Sequence, residues 1–112
     1  MNKKEELIYS IIDNVIQCCY VTKSDGSPSI TREDVIGKSR AENIVMCRCL
    51  VVEQMVHSGF SIATISLILN RTVQATRHLL KMSGQYYETS RAFRLATSEA
   101  TLLNKDVEPI FV

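Results

Sequence analysis

The sequence is poor in the features that mark most catalytic and exported proteins. It holds nothing near the roughly 18 consecutive apolar residues of a membrane span, and its charged opening MNKKEE leads into an amphipathic run and not a signal-peptide core. A cytoplasmic location without a membrane partner is expected. Histidine is limited to His57 and His78, neither with Asp or Glu at ligand spacing, and there is no phosphate loop and no nucleophile, base and carboxylate set. The chain is therefore expected not to be an enzyme, and to take no cofactor or small-molecule substrate. The four cysteines come as Cys18-Cys19 and Cys47-x-Cys49. On helices such neighbours point in different directions, and neither pair has the C-x-x-C spacing of a zinc knuckle or redox motif. They read as reduced thiols serving as small core residues, with no metal. Glycine and proline are scarce, and only VTKSDGSPSI (21–30), with turn signals at Asp25-Gly26 and Ser27-Pro28, is rich in loop residues.

What is present fits one folded domain. With 112 residues, 46% hydrophobic and 22% charged, the chain can bury a real core but has no room for a nucleotide-hydrolysing domain as well. The expected organisation is an N-terminal helix and loop (1–30), a core (31–88) and a C-terminal helix and tail (89–112). Net charge is only +1, which for the whole chain argues against a nucleic-acid binder. The distribution along the chain points the other way. Residues 1–36 carry four Lys/Arg against six Asp/Glu, residues 37–94 eight against three, and residues 95–112 one against three. Binding to a polyanion needs a local positive footprint of this kind.

Periodicity places the helices. In residues 4–20, Leu7, Ile8, Ile11, Ile12, Val15, Ile16 and Cys19 form an amphipathic stripe that packs on the domain, with a dimer stripe as the rival reading. Thr31 to Gly37 predicts one or two helical turns capped by Thr31 and stopped by Gly37. Lys38-Ser39-Arg40 is an exposed basic connector suited to phosphates or a minor groove. The helix predicted from Ala41 to His57 has Ile44, Val51, Val52 and Met55 on its buried face, yet Arg48 projects among them. A guanidinium there must reach a ligand or a carboxylate. An ion pair with Glu33 or Asp34 and a phosphate clamp are both open.

The rest of the chain reads as organised around Gly59 to Gln85. Ser61 caps a helix over about 62–69, whose apolar run is Ile62, Ile65, Leu67, Ile68 and Leu69; Gly59 supplies the positive φ before it, and Asn70 tolerates the left-handed turn after it. Thr72 then caps a second helix to about Ser83, with Gly84 weakening any continuation. This is a helix-turn-helix, whose second helix can enter a major groove. On that helix Gln74, Arg77, His78, Lys81 and Gln85 share one face, polar and basic with no acid. An ordinary solvated face mixes both signs. A last helix over 89–103 should pack Ala92, Phe93, Leu95, Ala96 and Leu103 inward, with Arg91 and Arg94 extending the basic surface. The tail NKDVEPIFV is expected to be a loosely held end.

Residues 38–78 resemble the C-terminal DNA-binding domain of the bacterial replication initiator DnaA. That family runs from a K-S-R-type loop through a helix with a central A-R-Q, then S-L-x-E-I-G, then G-R-D-H-[ST]-T-V. Here the loop is Lys38, Ser39 and Arg40, the central arginine Arg48, the serine cap Ser61 with Ile65 following, and the turn arginine Arg71; His78 falls at a family histidine. The resemblance implies an all-α DNA-binding domain of five to six helices, similar to DnaA domain IV and Trp repressor. It also implies that Arg40 reaches the minor groove, that Thr72, Val73, Gln74, Ala75 and Thr76 read the major groove, and that Arg48 and Arg71 hold phosphate.

The base-reading Asp-His pair of that family is here Thr72-Val73, the next hydroxyl pair is Gln74-Ala75, and the following valine is Thr76. Threonine or valine cannot accept from cytosine as aspartate does. Gln74 could instead pair with adenine, and Val73 or Ala75 could meet a thymine methyl. The ATPase portion is absent, which suits a phage or mobile-element regulator. The function expected is sequence-selective binding of double-stranded DNA, in transcriptional control or as a replication accessory. Lys38, Arg48, Arg71 and Lys81 would clamp phosphate and Gln74, Arg77 and His78 would read bases. The alternative is a degenerate module that docks replication or regulatory proteins.

Overall fold

The structure, a computed structural model, describes residues 3–19 and 30–105. Most of the expected loop at 21–30 and the tail beyond Lys105 lie outside the described residues. Among those described, six helices and no strand occur: α1 (Lys3–Cys19), α2 (Arg32–Ile36), α3 (Glu42–His57), α4 (Ile62–Ile68), α5 (Val73–Thr89) and α6 (Arg91–Leu103).

The helix at the centre is α3. Cys47, Arg48, Cys49, Leu50, Val51 and Val52 are all buried, as are Gln54 and Met55. Six consecutive residues cover the whole helix circumference, so α3 has no solvent stripe over this run. The other five helices pack on it. The expectation that the chain is organised around 59–85 is corrected accordingly, because a helix apolar all round needs neighbours on every side. The expected face of Ile44, Val51, Val52 and Met55 is part of a larger buried surface.

Outer helices bury one stripe each. α1 buries Ile8, Ile11, Ile12, Val15 and Ile16 against α3 and α6. α2 starts on a capping box: the Thr31 hydroxyl accepts from Asp34 N (3.2 Å) and the Asp34 carboxylate from Thr31 N (3.0 Å). An amide relay, half-buried at one end and buried at the other, joins three helices. Asn14 of α1 donates to Asn104 Oδ1 (2.8 Å), just past α6, and Asn104 Nδ2 donates to Gln54 Oε1 of α3 (3.0 Å). The cysteines are core groups as expected: Cys47 and Cys49 are buried, Cys18 and Cys19 half-buried, and all four thiols are free. Burial pushes the Cys49 thiol up to about 11, and burial with nearby Glu99 does the same to Cys18, so both stay protonated near neutrality.

Two differences from expectation concern the C-terminal half. α5 runs through Gly84 to Thr89, because Leu79, Ser83 and Tyr86 pack on the core and outweigh the roughly 1 kcal/mol propensity cost of one glycine. Ser90 then closes α5, donating to Tyr86 O (2.8 Å), and caps α6 by accepting from Phe93 N (3.1 Å). α6 turns Phe93, Ala96 and Ala100 inward, while Ala92, Leu95 and Leu103 are exposed. At about 100° per residue Leu95 lies opposite the Phe93 line, so only one of the two apolar stripes finds the core.

Candidate nucleic-acid interface

Local chemistry builds the helix-turn-helix as expected. Gly59 has φ 96° and Asn70 φ 53°. Each occupies the left-handed position of a Schellman closure. Phe60 N donates to Met55 O (3.0 Å) and Gly59 N to Val56 O (3.0 Å), while Arg71 N donates to Ser66 O (2.9 Å) and Asn70 N to Leu67 O (3.2 Å). Ser61 accepts from Thr64 N (3.1 Å) and Thr72 from Ala75 N (3.0 Å), so both hydroxyls cap the helices they precede. Ser61 stands at the end of α4 away from the turn.

Arg48 does not do what the sequence suggests. It is only 4% exposed and meets no carboxylate. Its Nε donates to Val35 O (2.7 Å), Nη1 to Ser39 O (3.0 Å), and Nη2 to Asp34 O (2.9 Å) and Gly37 O (3.1 Å). These are the orphan acceptors at the end of α2 and in the loop beyond it. Both expectations, an ion pair with Glu33 or Asp34 and a phosphate clamp, are corrected: α2 ends with its carbonyls aimed at α3, and the guanidinium is spent on them.

Arg71 follows the same pattern. Its Nη1 donates to Ile36 O (3.0 Å) and Leu69 O (2.7 Å), and its Nη2 to the same Gly37 carbonyl that Arg48 uses. Burial pulls both guanidinium pKa values down from the ordinary arginine range, and the charge of Arg48 adds to the effect on Arg71. The expected phosphate role of Arg71 is corrected in part: its Nη1 and Nη2 donors are engaged on backbone carbonyls, while the half-buried side chain borders the open cleft beside Lys38. Gly37 fits this junction since a Cβ there would lie 2.7 Å from Glu33 O. The loop carrying Lys38, Ser39 and Arg40 is thus tied by one arginine to α3 and by the other to the turn before α5.

The outward groups are different residues. Lys38 and Arg40 are exposed, and Lys38 shares an open cleft of about 510 Å³ with Leu67, Asn70, Arg71, Thr72 and Ala75. The basic loop and the start of α5 therefore border one space. Along α5, Val73, Gln74, Ala75, Arg77, His78, Lys81 and Gln85 are all exposed, and no acid interrupts them before Glu88. Thr76 is the exception among the expected contact residues. It is fully buried, donating to Thr72 O (3.0 Å) with Ser66 Oγ 2.8 Å away, so it locks α5 against α4 and cannot read a base. Nothing local in the sequence marks Ser66 for this role; its hydroxyl also lies 2.7 Å from Ile62 O, its one proton serving one partner at a time. Ser39 turns its hydroxyl to its own chain, accepting from Ala41 N (3.3 Å).

Two further groups depart from the expected pattern. Arg94 donates to Tyr87 O (2.8 Å) and Glu88 O (3.3 Å) at the end of α5, leaving Arg91 as the exposed cation of that region. Leu67, part of the apolar run of α4, is 83% exposed. Its angle, about 200° from Ile65, is the signal that could have placed it outward. No helix among the described residues is long and apolar enough to cross a membrane. Compared with protein-family models, curated proteins and solved structures, the chain matches none of them.

Proposed function

We propose that this protein is a non-enzymatic, sequence-selective binder of duplex DNA, acting in the cytoplasm as a transcriptional or replication-accessory regulator. One observation carries the reading: an acid-free row of Gln74, Arg77, His78 and Lys81 on the outward face of α5, next to a cleft that Lys38 also borders. The resemblance to the DnaA C-terminal domain supports the same docking, with α5 in the major groove and Arg40 toward the minor groove. The division of labour differs from the family's. Lys38 and Lys81 meet phosphate, Gln74, Arg77 and His78 meet bases, and Arg48 and Arg71 position the loop from behind.

Selection of bound duplexes from a random library, followed by salt titration on the enriched sequence, tests this. One enriched motif with affinity falling steeply as salt rises is expected. Uniform, weak binding would overturn it. A second reading, an acidic protein partner, is favoured by Leu67, whose large apolar surface stands beside Lys38. Partners that survive nuclease treatment and are lost with Leu67→Ala would support that reading instead.

A further inference from the structure

We infer that the start of α5 reads consecutive A·T base pairs in the major groove, with Gln74 on adenine and the methyl groups of Val73 and Ala75 on thymine. The inference rests on the proposed DNA-binding function and names the target class of that same surface.

In a docked helix-turn-helix the residues at the N-terminal end of the second helix meet the base edges. Of the residues expected to do so, Thr72 is engaged as the cap and Thr76 is buried against Ser66. That leaves Val73, Gln74 and Ala75, all exposed, with Val73 38% exposed despite its apolar side chain. The Ser66 and Thr76 contact also fixes the rotation of α5 about its own axis, which holds Gln74, about 200° from Thr76, outward, with Val73 and Ala75 exposed about 100° to either side of it.

Its chemistry is narrow. None of the three carries a charge. A guanine is read best by Arg or Lys on O6 and N7, and a cytosine by Asp or Glu accepting from N4. On α5 neither type occurs before Arg77, about one turn further along. A primary amide matches the adenine pattern, N7 acceptor beside N6 donor, and aliphatic groups match only the thymine C5 methyl. From the first to the third residue a helix rises about 3.0 Å, close to the 3.4 Å step of one DNA strand, so the trio meets two neighbouring pairs. Any guanine in the major-groove site belongs to Arg77 or to His78 beside it.

The test begins with the motif selected by the wild-type protein. It should contain two neighbouring A·T pairs, at positions whose preference is relaxed by Gln74→Ala. Two modified duplexes then probe the contacts. Replacing thymine by deoxyuridine in these A·T pairs removes the C5 methyl and should weaken binding about three- to fourfold per contacted methyl. Replacing the adenine by 7-deazaadenine removes the N7 acceptor and should weaken the wild type about fivefold or more, while leaving Gln74→Ala unaffected. A motif with G·C pairs at the Gln74-dependent positions, or full affinity for both modified duplexes, would overturn the inference while leaving DNA binding intact. Absence of any enriched duplex would overturn both.

Discussion

Two groups of cations in the same segment have opposite fates. Arg48, Arg71 and Arg94 are turned inward onto backbone carbonyls at the ends of α2, α4 and α5, whereas Lys38, Arg40, Arg77, Lys81 and Arg91 are left to solvent. Formal charge counts both groups alike. Physically the first satisfies acceptors that helix ends leave open, and the second supplies the field that a polyanion or an acidic surface would sense. A segment of eight Lys/Arg thus offers fewer free cations than its composition suggests.

Breaking the inward group should cost the most. Arg48→Ala orphans the carbonyls of Asp34, Val35 and Ser39, while Gly37 keeps Arg71, and the cost is expected at about 3 kcal/mol or more, lowering the melting temperature by about 10 °C or more. Arg48→Lys should recover little, since one ammonium cannot span the four acceptors. Calorimetry on both variants checks this, and an unaltered melting temperature would overturn the positioning role of Arg48. Thr76→Val should cost about 1–2 kcal/mol by removing the buried hydroxyl pair, measured by urea unfolding.

The outward group should behave in the reverse way. Lys38→Ala and Lys81→Ala are expected to change stability by less than about 0.5 kcal/mol. Each should reduce the slope of log affinity against log salt by about 1, on every sequence alike. If either lowered stability as Arg48→Ala is expected to, the separation into two groups would fail. The smallest effect belongs to a site outside both groups. A Cβ at Gly84 meets nothing within 4 Å, so Gly84→Ala should stabilise α5 by about 0.5–1 kcal/mol and leave binding unchanged, seen as a shifted urea midpoint.

The same contrast explains what can be read from the sequence. Ser61, Thr72, Thr31, Gly59 and Asn70 are legible because a cap or a left-handed turn is decided within a few residues by the side chain itself. The outward row on α5 is legible from its period. The fate of Arg48 and Arg71 is not, because their partners are backbone carbonyls, all but Leu69 O lying nine or more positions away, and a carbonyl carries no residue signature. Thr76 is hidden for a related reason: its inward turn depends on Ser66, ten positions away on another helix. The central place of α3 is masked by Arg48 and Gln54, polar residues whose buried atoms find hydrogen-bond partners only once the fold is assembled.

The exposure of Val73, Gln74 and Ala75 bears on how such a protein diversifies. Natural domains sit only about 5–15 kcal/mol above unfolding, and most substitutions move them downward. At these three positions the side chains lie outside the buried core, while the cap, the Ser66 and Thr76 contact and the arginines behind the loop hold the geometry. A descendant could exchange the whole trio in a few steps without approaching its unfolding threshold, and so acquire a new specificity on an unaltered scaffold.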